Sequence, residues 1–287
     1  MIHPEYQYLK LLHSIIKDGK GKKTRGIHGV RSIFGYQMKF DLRYGFPLLT
    51  TKKMPFKMLT NELLWFISGD TNIKKLNENK IFYWDGFADE NGDLGPVYGS
   101  QWRKWPTFVD SRTGLSAKKD TPKEFLEYKE IDQLANVIEE IKTMPNSKAM
   151  MVTAHNPAQL GEMRLPPCHA YFQFNVTKEK LKLQLYQRSS DVFLGLPFNI
   201  AQYALMLKMV AQITGYEARE LVVTIGDAHV YYNHFDAAKE QLKRKPFAFP
   251  KVKLNTEIKN IDDFKLEDFE LIGYESHEAI KAPLVII

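Results

Sequence analysis

Residues 181–214 read LKLQLYQRSSDVFLGLPFNIAQYALMLKMVAQIT, and the apolar period changes partway along. Leu181, Leu183 and Leu185 recur at every second position, which is a strand with one apolar face. Lys182, Gln184, Tyr186 and Arg188 then fall on the other face, where a strand offers polar groups to a cavity. From Phe198 to Thr214 apolar residues lie nearly all round a helical wheel, which predicts a long buried central helix. Gly195 and Pro197 bend the chain between the two.

Upstream, MMVTAHN (150–156) and AYFQFNVT (170–177) alternate as strands, and the second forms a hairpin with 180–190 across a Lys-Glu turn. Nearer the start, Tyr8, Leu11, Leu12, Ile15 and Ile16 mark a helix between Pro4 and Gly19. Phe34, Tyr36, Met38 and Phe40 mark a half-buried strand, and a second helix runs from about Phe56 to Ser68, stopped by Gly69. A third helix carries Ile131, Leu134, Val137, Ile138 and Ile141, and strands near 220–225, 250–254 and 267–273 bracket a helix near 232–244. Strands and helices without regular alternation predict an α+β class, a mixed β-sheet flanked by helices in one domain spanning 1–287. Residues 107–129 are polar and aperiodic and read as an insertion or loop.

With 44% hydrophobic and 26% charged residues, a chain of 287 residues buries a large core. The net charge of +6 gathers in two basic clusters, Lys17 to Arg31 and Lys118 to Lys129. Neither lies in a nucleic-acid-binding module, so both read as solvated surface and no nucleic-acid partner is expected. One cysteine excludes an internal disulfide and a cysteine-rich metal site, which suits a reducing, cytoplasmic compartment. The first twenty residues lack the order of an export signal, and the apolar run ALMLKMVAQI, broken by Lys208, is too short to span a bilayer. His229 and His234 are five apart without a third ligand, so no metal is expected.

That single cysteine, Cys168, sits in LPPCHAYFQFN (165–175). A lone cysteine is ordinarily a small buried hydrophobe. The Pro166-Pro167 pair fixes the backbone before it, however, and an arginine such as Arg188 lowers the pKa of a nearby thiol, so a mounted nucleophile is the competing reading. Asn199 at the head of the predicted helix is either an N-cap or a carboxamide offering a donor beside an acceptor. The second arrangement matches the N3/O4 edge of uracil.

LGPVYGSQWR (94–103), LPPCHAYFQFNV (165–176), YQRSSDVFLGLPFNIAQYAL (186–205), GDAHVYYNHF (226–235) and IKAP (280–283) together closely resemble the thymidylate synthase family, and the likeness covers nearly the whole chain outside 107–129. The resemblance implies an obligate homodimer packed sheet against sheet, with active sites shared across the interface. It implies methylation of dUMP at C5 with 5,10-methylenetetrahydrofolate, which gives carbon and hydride and leaves as dihydrofolate. Cys168 then matches the nucleophile that adds to C6, Asn199 the uracil reader, and Tyr98 the group associated with removing the C5 proton. Glu62 and His169 match the network that polarises O4 and activates the folate. Arg25, Arg188 and Ser189 match phosphate ligands, His229 and Tyr231 the pair on the deoxyribose hydroxyl, and Asp191 the pterin's partner. Trp84, Leu165, Leu194, Gly195 and Phe198 match the wall for the folate rings.

Departures from the pattern cluster on phosphate and folate groups. The loop RGIHGVR (25–31) keeps Arg25 and Gly29 but lacks the family's two threonines. Lys148 and Ala149 stand where the family has two arginines that reach the neighbouring subunit's phosphate, His155 replaces a tryptophan, and Tyr83, Phe87 and Pro55 are altered in the cofactor region. KAPLVII is one residue longer than the usual ending that closes over folate. Two alternatives to methylation stay open: hydroxymethylation of dUMP, releasing tetrahydrofolate, and a catalytically weak binding homologue.

Overall fold

The computed structural model describes residues 2–24 and 28–285. In chain order the elements are α1 (Tyr6–Asp18), β1 (Lys20–Lys22), β2 (Val30–Asp41), α2 (Phe56–Ile67), α3 (Lys74–Glu78), α4 (Gly99–Arg103), β3 (Trp105–Asp110), β4 (Leu126–Ile131) and α5 (Gln133–Thr143). There follow β5 (Met151–Thr153), β6 (His169–Thr177), β7 (Lys180–Asp191), α6 (Gly195–Thr214), β8 (Glu217–Tyr231), α7 (Phe235–Leu242), β9 (Lys251–Leu254) and β10 (Phe269–Ile272).

Six strands make a mixed sheet in the order β1-β2-β8-β7-β6-β5. All neighbours are antiparallel except β7 and β8, and parallel neighbours need a crossover, which α6 supplies. Leu181, Leu183 and Leu185 of β7, Leu221, Val223 and Ile225 of β8, and Met38 and Phe40 of β2 form the buried face of the sheet. α6 packs against β7 and β8, α1 against β2, and α2 against α6. Apolar residues on every side of α6 fit this position: thirteen of its 20 residues are buried. Removing a side chain such as Leu205 there would cost about 2–5 kcal/mol through the cavity left behind.

The opposite face of the sheet is polar. Gln37 Nε2 and Gln184 Nε2 both donate to Thr224 Oγ1, at 3.0 and 3.2 Å, and the rings of Tyr171 and Tyr186 stack at 5.1 Å. Lys182, Gln184 and Tyr186 therefore do not face a cavity, contrary to expectation. The cavity lies at the carboxyl end of β7, and of the four polar positions only Arg188 is far enough along to reach it.

Other expectations shift for identifiable reasons. Phe34 is 84% exposed, because the buried part of β2 resumes only at Met38. Residues 107–129 fall in the β3–β4 hairpin: 107–110 and 126–129 are strand, with Phe108 opposite Tyr128, and 111–125 connect them; every residue of β4 is exposed, so no buried face of that strand imposed a period. β8 runs well past 225 and carries His229 and Tyr231, and the helix after it starts only at Phe235. Gly226 lets β8 pass close to β7, since a Cβ there would lie 2.8 Å from the Arg188 carbonyl oxygen.

Candidate active site

A cavity of about 400 Å³ opens where β7 ends and α6 begins, and Cys168 lines it. The Arg188 N–H donates to the Cys168 carbonyl at 2.9 Å. The Arg188 guanidinium is anchored on the residues just before Cys168, Nε to Pro167 O at 2.9 Å and Nη2 to Pro166 O at 2.5 Å. From the other side the Cys168 N–H donates to Tyr98 Oη at 3.1 Å. Tyr98 holds φ at +30°, a strained conformation costing about 1–3 kcal/mol. Its neighbour Gly99 explains how it is held: α4 approaches α2 so closely that a Cβ there would lie 2.0 Å from Phe66 O. Cys168 keeps some solvent contact through the cavity, yet burial dominates and pushes its thiol pKa up, against the downward pull of Arg188 and Tyr98. The expected shift toward neutrality is thus corrected: Arg188 offsets the burial without reversing it.

Behind Cys168 runs a continuous polar chain. Glu62, buried in α2, accepts from Trp84 Nε1 on Oε1 and from Gln202 Nε2 on Oε2, each at 2.6 Å. Burial pushes its carboxyl pKa up despite these bonds, which favours the protonated acid. Gln202 Oε1 accepts from Asn199 Nδ2 at 3.4 Å, and Asn199 Oδ1 accepts from Gln187 Nε2 at 2.8 Å. His169, next to the thiol in sequence, is buried among Phe66, Tyr98 and Tyr203, and desolvation lowers its pKa to about 4, so its imidazole is neutral at pH 7. Asn199 does not open α6, which begins at Gly195; its side chain belongs to this chain of amides and caps no helix. Gln187 and Gln202 went unrecognised in the sequence. Gln202 had a signal, as a polar residue three positions from Asn199 in the first half of a mostly apolar helix.

At the other end of the cavity, Ser189 Oγ lies 3.5 Å from His229 Nδ1, which also faces Asp227 at 3.3 Å. Hydrogen bonding to His229, then to Lys22, holds the Asp227 carboxyl down at about 2. Tyr231 lines the same end, and burial raises its hydroxyl to about 12, so it stays a donor. Arg25 lies outside the described residues. Lys148 is exposed and does not line the cavity, although its carbonyl accepts from Gln173 Nε2 at 2.9 Å.

Trp84, Leu165, Leu194, Gly195 and Phe198 all line the cavity, joined by Tyr83, Phe87, Leu284 and Val285. Asp191 closes one side, its Oδ1 accepting from the N–H groups of Phe193 and Leu194 at 2.9 and 3.2 Å. His234, fully buried, bridges Asp191, 3.8 Å from Nδ1, and the Pro283 carbonyl, 2.8 Å from Nε2. Lys52, also unrecognised in the sequence, is buried beneath Phe193, bonded to its carbonyl and 4.0 Å from its ring centroid. Desolvation lowers the Lys52 pKa to about 7, with Asp191 opposing.

His169 Nδ1, Gln187 Oε1 and Ser190 Oγ, on residues that line the cavity, are buried without a hydrogen-bond partner. Tyr83, Trp84, Phe87 and Phe198 add an aromatic wall whose rings meet at 43, 79 and 63°. Among the described residues no group of three or more His, Cys, Asp or Glu is placed to hold a metal, and no helix is long and apolar enough to cross a membrane. A family profile described as thymidylate synthase matches residues 6–286.

Proposed function

The chain belongs to the thymidylate synthase family, whose members transfer a folate-borne one-carbon unit to dUMP, and from this premise we propose that it methylates dUMP to dTMP. The observation that carries the proposal is the convergence of Cys168 with the unbroken chain from Glu62 through Gln202 and Asn199 to Gln187. Asn199 reads the uracil edge, accepting from N3–H and donating to O4. As Cys168 Sγ bonds to C6 its thiol proton passes to the polar network around His169 and Glu62, and the C5=C6 electron pair moves toward C5 and O4, where the same network returns a proton, so an inert vinyl carbon becomes a nucleophile. Glu62 and the neutral His169 act on the O4 side, and Tyr98, whose hydroxyl oxygen accepts from the Cys168 amide and stays protonated, relays the C5 proton by taking it up as it releases its own.

Arg188, Ser189 and Arg25 hold the phosphate, while His229 and Tyr231 hold the deoxyribose. Trp84, Leu165, Leu194, Gly195 and Phe198 form the wall for the folate, with Asp191 as the pterin's partner. When bound, 5,10-methylenetetrahydrofolate supplies the one-carbon unit and the hydride. Trp84, fixed by its 2.6 Å bond to Glu62, excludes water from the wall and so favours methylation over hydroxymethylation.

The working form in this reading is a homodimer joined through the polar face of the sheet. Support comes from the position of Lys148, tied to Gln173 of that face, where a second copy would bring it to its neighbour's phosphate. Incubation with dUMP and methylenetetrahydrofolate, followed by mass spectrometry, tests the chemistry. dTMP with equimolar dihydrofolate is expected. Tetrahydrofolate with a product heavier than dTMP by one oxygen assigns a hydroxymethylase, and no product at all leaves a binding homologue.

A further inference from the structure

The segment that follows β10 is well tied until Glu278 and sparsely after it. Tyr274 Oη donates to Leu49 O at 2.7 Å, the His277 N–H to Thr50 O at 2.8 Å, and Arg244 Nη1 to Glu278 O at 2.6 Å. With the other described residues, 279–285 then make one hydrogen bond, from His234 Nε2 to the Pro283 carbonyl at 2.8 Å. The next two residues, Leu284 and Val285, line the cavity together with Leu194 and Phe198. His234 itself does not line it: the ring is fully buried against Phe193 and Tyr231, centroids 5.7 and 5.5 Å away. A carbonyl only accepts, so Nε2 carries the hydrogen, while Nδ1 faces Asp191 Oδ2 at 3.8 Å. One buried imidazole therefore stands between the tail and the carboxylate that closes one side of the cavity.

We propose that His234 is a positioning residue for the folate end of the site: its bond to the Pro283 carbonyl holds Leu284 and Val285 at the cavity. The inference rests on the folate-dependent reading above and deepens it. A segment fixed at one point by a rigid ring loses less freedom when a ligand arrives than one left free, so the bond favours folate binding without touching folate. dUMP, whose expected contacts lie on β7, β8 and α6, gains nothing from it.

His234→Gln places an amide N–H where Nε2 stands, whereas His234→Asn places it at the level of Nδ1, toward Asp191 and short of Pro283. Both variants lose the ring and keep a polar group, so a purely structural role would affect them alike. For wild type and both variants, tetrahydrofolate affinity is measured by calorimetry with dUMP present, alongside dUMP affinity and melting temperature. The rate at which trypsin cuts after the exposed Lys281 is followed by mass spectrometry. The asparagine variant should bind folate about fivefold or more weakly than the glutamine variant and be cut after Lys281 faster by a similar factor. The glutamine variant should stay within about twofold of wild type, and dUMP affinity within about twofold in all three. Should the asparagine variant not fold, His234→Phe, which keeps a ring and has no donor, takes its place. Equal folate affinity and equal cutting in the two variants overturn the proposal, as does a glutamine variant that unfolds. A wild type that binds dUMP but no folate removes the underlying reading together with the proposal, and that outcome is visible before any variant is made.

Discussion

Gln187 Nε2 donates to Asn199 Oδ1 at 2.8 Å, and this bond, with that from Asn199 Nδ2 to Gln202, fixes which end of the Asn199 carboxamide accepts and which donates. With Asn199 as the proposed reader of uracil, the preference for uracil over cytosine would depend on a residue behind it. Gln187→Glu cannot donate when ionised, so the Asn199 amide is free to turn. The kcat/KM ratio of dUMP to dCMP should fall by about tenfold or more. Asn199→Asp should shift the preference toward dCMP directly. Unchanged ratios in both variants would assign base reading to another group.

Cys168→Ser should abolish turnover, with a loss of about a thousandfold or more, while the dUMP dissociation constant moves only a few-fold. The serine hydroxyl is a poor nucleophile near neutral pH, and most expected ligand contacts lie on β7, β8 and α6. A rate within about tenfold of wild type would take Cys168 out of the mechanism.

Lys148→Arg combined with Ala149→Arg should tighten dUMP binding by about tenfold and leave deoxyuridine binding unchanged. Two exposed positions beside the polar sheet face would then offer forked guanidinium groups to a neighbour's phosphate. Should the double variant bind dUMP no better while Arg31→Ala weakens binding, the phosphate is held by the amino-terminal loop of the same chain.

Lys52 ties stability to pH. Its folded pKa of about 7 lies below the unfolded value near 10.4, so the unfolded chain holds more protons between these limits. Stability from this group rises with pH across roughly pH 7 to 10 and is lost as pH falls through 7. Denaturant unfolding of wild type and Lys52→Met should show that slope in the wild type and a flatter one in the variant. Parallel curves would mean that Lys52 stays charged beneath Phe193.

Strands and helices with one apolar face were legible because burial imposes a period, as in Leu181, Leu183 and Leu185. The β3–β4 hairpin was not, since β4 is exposed throughout and only Val109 and Asp110 of β3 are buried. In the site, Cys168 and Asn199 announced themselves through neighbours in sequence, Pro166 and Pro167 for one and the head of α6 for the other. Gln187 and Lys52 did not, because their roles come from partners 12 and 141 residues away. The sign of the Cys168 shift was missed for the same reason: a sequence shows the arginine but not the depth of burial that outweighs it.

The raised thiol pKa also governs how an idle molecule ages. Oxidants and alkylating agents attack the thiolate and act slowly on the protonated thiol. With Cys168 held mostly as thiol, and Arg188 turned back onto the Pro166 and Pro167 carbonyls, the resting protein keeps the sulfur of the proposed nucleophile out of side reactions. Waiting without substrate then does little harm to the enzyme's lifetime.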